Sequence, residues 1–144
     1  MSPVEKELHE KFPRLFAPAF DVSIGKGWLP TVLLLSEGIE GLVNQLPESE
    51  RAQYTVAQVK EKFGGLRYYM SAETKEMSEL ISMAEEECWR TCEDCGAEGS
   101  RYVLGENDDR TGGGGWIRTL CADCAEKAEL NRKIYIATVN KYFP

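Results

Sequence analysis

Histidine is almost missing from this chain of 144 residues; His9 is the only one. Its neighbours are charged and no other motif points at it, so it reads as a lone surface histidine without a nucleophile to serve. Long apolar runs are missing too. None approaches the roughly 18 residues of a membrane-crossing helix, and the mean hydropathy is −0.39. Residues 1–7 lack the apolar core of a signal peptide. Cysteine is scarce at five residues, far below a disulfide-held scaffold. Together these absences predict no membrane partner and a reducing, cytoplasmic setting.

Positive charge is in short supply as well. Seventeen Lys and Arg face 24 Asp and Glu, for a net charge of −7 and an isoelectric point near 4.9. Residues 85–109 hold nine acids against two bases, which accounts for the whole excess. A phosphate backbone is repelled by such a pole, so nucleic acid is a disfavoured partner.

What is present is a core and a cysteine pattern. The apolar fraction of 42% suffices for one packed domain at this length. The cysteines fall as Cys92-Glu93-Asp94-Cys95 and Cys121-Ala122-Asp123-Cys124, with 25 residues between the pairs. Each CxxC turns tightly enough to aim two sulfurs at one point, and two such knuckles supply four thiolates for one zinc ion. Four protein ligands leave no place for water, so the zinc is expected to be structural. Two disulfides or four free thiols are the alternatives. Gly96 follows the first knuckle, where a positive φ is useful. Residues 101–104 and 116–120 read as strands between the knuckles. This layout predicts a zinc-ribbon subdomain over 90–126.

Along the rest of the chain, residues 2–11 predict a helix with Ser2 as N-cap and Pro3 at its first position. Residues 13–27 read as an irregular connector whose Phe16, Phe20 and Ile24 enter the core. Trp28, Val32, Leu35, Ile39, Leu42 and Leu46 recur at helical spacing and predict a helix over 28–46. Residues 55–70 predict a hairpin turning at Gly64-Gly65, with Phe63 opposite Leu66, Lys62 opposite Arg67, Glu61 opposite Tyr68 and Lys60 opposite Tyr69. Val59, Phe63, Leu66, Tyr68 and Met70 then face the core, and Glu61 falls among them. Lys60, Lys62, Arg67 and Tyr69 share the other face. Residues 73–90 predict a second amphipathic helix, with Cys88 as a buried apolar thiol. Residues 105–115 read as a polar, glycine-rich loop. A last helix is expected from 122 to about 142. The whole predicts a single α+β domain over 1–144: helices, a β-hairpin or antiparallel sheet, and the ribbon.

Three stretches, Val59–Tyr69, Cys92–Gly96 and Gly115–Cys124, together resemble a family of small proteins of bacteria and their phages or prophages. Its members couple a KEKFG-LRFY-like segment to a CxxCG…W-TLC-x-x-C zinc ribbon. The resemblance covers about residues 20–126. It implies a bacterial host cell and transfers no activity. A phage setting would favour a small protein that binds and blocks a host or defence complex.

Three functions follow for testing. The leading one is a non-enzymatic, zinc-stabilised protein that binds another protein through an acidic pole, with Glu93, Asp94, Asp108 and Asp109 as contacts. The alternative is nucleic-acid or phosphate binding through Lys60, Lys62, Arg67, Tyr69 and Arg118. The third is a small-ligand or nucleotide-handling enzyme centred on Glu61. It has little support, because no nucleophile–base pair accompanies that carboxylate.

Overall fold

The computed structural model describes residues 1–17, 20–104 and 116–129. The architecture is α+β, as the sequence predicts. Helix α1 (Pro3–Lys11) begins at Ser2, whose Oγ accepts the Glu5 N–H at 3.2 Å. Strand β1 (Asp21–Ser23) leads through a 3₁₀ turn, Lys26–Trp28, into α2 (Leu29–Asn44). A second 3₁₀ turn, Glu48–Gln53, precedes the hairpin of β2 (Val56–Lys62) and β3 (Gly65–Met70). Helix α3 (Lys75–Cys88) is capped by Thr74, which accepts the Met77 N–H at 3.3 Å. Strands β4 (Ser100–Leu104) and β5 (Trp116–Leu120) pair antiparallel, and residues 122–129 form a helix, α4. Among the described residues no helix is long and apolar enough to cross a membrane.

The connector and the hairpin both differ from expectation. The connector 13–27 contains β1, which pairs parallel with β2, Val22 beside Val59, to make a three-stranded sheet in the order β1-β2-β3. Three residues are too few to show an alternating pattern, and their pairing depends on a strand more than thirty positions away. The hairpin turn is Phe63-Gly64 rather than Gly64-Gly65. Both turn residues have positive φ, 54° and 80°, the backbone of a two-residue hairpin turn. Lys62 therefore pairs with Gly65, Glu61 with Leu66, Lys60 with Arg67 and Val59 with Tyr68. Gly65 is drawn into the strand because the Trp89 ring lies over it; a Cβ there would come 2.6 Å from two ring carbons. The slip is two residues, so the strand faces keep their sides. Phe63, however, leaves the core for the turn and is 60% exposed.

One large core is built from α1, α2, α3 and the sheet. Leu8, Phe16, Trp28, Ile39, Val59, Leu66 and Met77 are all fully buried in it. The Tyr68 hydroxyl meets Ser36 Oγ at 2.9 Å inside this core, and burial pushes the phenol's pKa upward. Arg14 ties the connectors together. Its guanidinium donates to Glu40 at 2.8 Å and to the carbonyls of Arg51 and Tyr54 at 3.1 and 2.9 Å. His9 is not a free surface residue. It is half-buried, donates from Nδ1 to the Phe16 carbonyl at 2.8 Å and stacks on Phe20. A second, smaller core holds Cys92, Leu104, Leu120 and Ala125. The expected glycine-rich loop 105–115 and the expected helix beyond 129 lie outside the described residues.

Candidate metal centre

The first knuckle closes on itself. The Gly96 N–H donates to the Cys92 carbonyl at 3.0 Å, and Gly96 takes a φ of 84°. The Cys92 N–H donates to the Ala97 carbonyl at 2.8 Å, which brings the chain back towards β4. The second knuckle sits where β5 gives way to α4. There the Ala125 N–H donates to the Cys121 carbonyl at 2.9 Å and the Cys124 N–H points at Cys121 Sγ from 3.5 Å. Pairing of β4 with β5 brings the two knuckles face to face. The Sγ atoms of Cys92, Cys95, Cys121 and Cys124 lie within 4.8 Å of one another, and those of Cys95 and Cys121 are 3.7 Å apart. Sulfurs at roughly 2.3 Å from a tetrahedral centre are about 3.8 Å apart. No disulfide joins any of the five cysteines. These four side chains can hold a single metal ion.

The thiols differ in their readiness to ionise. Burial pushes Cys92 up, but backbone N–H groups at Cys121, Cys95 and Asp94 outweigh it and bring the pKa down to about 7. Cys124 is held up to about 12, chiefly by the neighbouring Cys121 sulfur. A bound cation removes that conflict by displacing the protons.

The knuckle is fastened to the body by residues that no motif marks. The Gly27 N–H donates to the Glu93 carbonyl at 2.9 Å, and the buried Trp28 indole donates to the Thr91 carbonyl at 2.8 Å. A Cβ on Gly27 would overlap the Cys92 carbonyl oxygen, so the two backbones touch. On the other side, the buried Thr119 hydroxyl donates to the Gly64 carbonyl at 2.6 Å. Arg101 donates to the Phe63 carbonyl at 3.1 Å while its guanidinium covers the Trp89 ring at 4.0 Å. The hairpin turn is thus a docking point for the ribbon.

Glu93, expected as a solvent-facing contact, is only 3% exposed. Its carboxylate accepts the Thr119 N–H at 2.7 Å and faces Arg118 at 3.5 Å. Burial raises its pKa, against the pull of that N–H and of Arg118. Glu93 is therefore a clasp between the first knuckle and β5. Arg118, expected as a phosphate contact, is spent on the same clasp. It pairs with Asp94 at 2.6 Å, stacks over Trp116 at 4.9 Å and keeps little of its side chain in water. Asp94 stays partly exposed, and Asp108 and Asp109 lie outside the described residues.

The residues of the expected basic face share one side of the hairpin, where the Trp89 ring also packs against Gly65. Lys60 lies directly across from Arg67, Lys62 sits beside the turn with its ammonium 5.8 Å from the Phe63 ring, and Tyr69 is exposed. Glu61 is used locally, where it accepts the Gly64 N–H at 2.6 Å and steadies the turn. Cys88, one turn before Cys92, points into the large core, where burial pushes its pKa up to about 12. Cys88 is therefore expected to stay unmodified when the native protein meets a maleimide at pH 7.5, and to react only in denaturant. Peptide mapping of the labelled sites checks this, and labelling of Cys88 in the native state would contradict its placement.

Comparison with known protein families, curated proteins and solved structures yields no match for the chain.

Proposed function

We propose that this is a non-enzymatic, zinc-stabilised binding protein that engages another protein. The observation that carries the reading is the closed set of four sulfurs, spaced for a tetrahedral ion and built into the backbone contacts of the fold. Four soft thiolates in a tetrahedron suit Zn²⁺, with iron as the competitor. Zinc held by four cysteines has no open position for water or substrate, so its contribution is shape. Because Glu93 and Asp94 clasp Arg118, the acidic surface for a partner shifts away from them and towards the glutamates of α3.

Elemental analysis of protein purified without chelator should find one zinc per chain in a colourless sample. Zinc near zero in every preparation, or an iron chromophore, would sink the metal assignment. Affinity capture from a bacterial lysate, with and without nuclease, tests the rest. A defined protein retained after nuclease supports the reading, and an eluate that is empty after nuclease removes it. Lys60, Lys62 and Arg67 gathered on one hairpin face support a second reading, binding of single-stranded nucleic acid with Tyr69 as a stacking platform. Charge reversal at Lys62 and Arg67 abolishes that mode and leaves binding through the α3 glutamates unchanged, and this separates the two readings.

A further inference from the structure

A groove of about 300 Å³ runs between α2 and α3, lined chiefly by Leu34, Leu35, Gly38, Leu80, Met83 and Ala84. Gly38 lets the helices close up at its floor; a Cβ there would come 3.1 Å from Leu80 Cδ1. Two of the lining side chains stand out into water. Leu34 is 71% exposed and Met83 is 66% exposed. Amphipathic helices with a buried stripe, as both of these have, normally turn polar residues outward. Here each turns one large apolar side chain outward, and the two flank a single groove.

The surroundings are of one sign. Helix α2 carries Glu37 and Glu40 and no base, while α3 carries five glutamates and Lys75 alone. Glu37, Glu76, Glu79, Glu86 and Glu87 each lie one helical turn from a groove residue, and all five are exposed. Arg90, just beyond α3, is held by Glu87 at 2.9 Å, and Glu40 is held by Arg14. An apolar slot with an acidic rim, open between two packed helices, has the shape to take the ridge of a third helix.

We propose that this groove is the partner-binding surface, and that it takes a basic amphipathic helix: leucine-like residues one turn apart in the slot, and lysine or arginine against the glutamate rim. The inference rests on the binding-protein reading above and names the partner's chemistry. A fluorescein-labelled synthetic helix with leucines at one-turn spacing and lysines elsewhere is the probe, and fluorescence anisotropy on the full, zinc-loaded chain is the readout. The lysine peptide should bind, and a counterpart with glutamate in place of lysine should not. Leu34→Asp, and independently Met83→Asp, should each weaken binding at least tenfold. Both substitutions make the surface more acidic, so attraction by charge alone would tighten binding; unchanged or tighter binding overturns the proposal. A wild-type dimer that Leu34→Asp converts to monomer overturns it in favour of a second copy. A fall of many degrees in the melting temperature of both variants overturns it in favour of a segment of the same chain. Lysate capture with wild type and Leu34→Asp separates the two levels. A protein retained equally by both leaves the binding-protein reading standing and removes the groove, while zinc content on the same samples tests the metal assignment alone.

Discussion

Cys92→Ser is expected to abolish stoichiometric metal binding and unfold the ribbon, while the helical body stays folded. Cys92 is fully buried and, among the described residues, belongs to a small core of four buried side chains, with Leu104, Leu120 and Ala125. Burial of such side chains contributes at most roughly 1.5–3 kcal/mol each. Every residue held in place costs about 1–2 kcal/mol in backbone entropy, and the ribbon has many more residues than buried side chains. Docking on the body through Thr91, Glu93 and Thr119 offsets part of the deficit, and on the proposed reading the metal supplies the rest. Structural zinc supplies on the order of 10–16 kcal/mol in zinc-finger peptides at neutral pH. The body has its own large core, from Val4 to Cys88, and stands without the ribbon. Amide hydrogen exchange resolves the two. Protection at Thr119 and Ala125 should vanish in Cys92→Ser, and in wild type treated with chelator, while Ile39, Val59 and Leu66 stay protected. A Cys92→Ser protein that still holds one tightly bound zinc, with Thr119 protected, would refute the four-thiolate site.

Gly27→Ala is expected to be the most damaging substitution outside the ligands. The added methyl would overlap the Cys92 carbonyl oxygen and stand 2.7 Å from the Glu93 carbonyl carbon and oxygen. These are backbone atoms of a closed knuckle, so no rotamer change relieves the clash. The Gly27 N–H bond to Glu93 and the Trp28 bond to Thr91 would stretch with it. Overpacking of this kind costs about 3 kcal/mol, the upper end of the usual range, which lowers the melting temperature of a chain this size by roughly 6–12 °C. Gly41→Ala is the control. Gly41 sits on the exposed side of α2 with nothing within 4 Å of its Cβ position, so alanine should raise stability by roughly 1 kcal/mol. Thermal melts of the two variants at equal zinc loading check both signs. Gly27→Ala melting at or above the wild-type temperature would show that the knuckle does not press on this turn.

The contrast between those two glycines shows what a sequence can and cannot disclose. Both are Gly in a row of letters, and only the fold places Cys92 against one of them. The ligand cysteines were legible because metal chemistry demands a spacing, and α2 and α3 because burial demands a period. The hairpin was legible as a pair of strands, but the two adjacent glycines placed its turn, and so its register, two residues out of step. Trp89, a residue from another element, decided it by packing on Gly65. Strand β1 was hidden because a parallel partner lends a three-residue segment no local signature. Glu93, Asp94 and Arg118 looked like surface charges because each is charged. Their mutual pairing depends on β5 lying beside the first knuckle, which no local pattern records.

The fastening of the ribbon also sets an order of events during folding. Each CxxC is a local dithiol, complete as soon as four residues exist. The bonds that hold the pairs in place are distant in the chain: Trp28 to Thr91 spans 63 residues and Thr119 to Gly64 spans 55. Loops of that length close late, after local helices and turns have formed. Pairing of β4 with β5 alone brings the two dithiols together, and until it forms each stays open to oxidation. Fastening of the finished ribbon to the body is a separate and later step. Trp28 and Thr119, neither of them a cysteine, make the contacts that complete it.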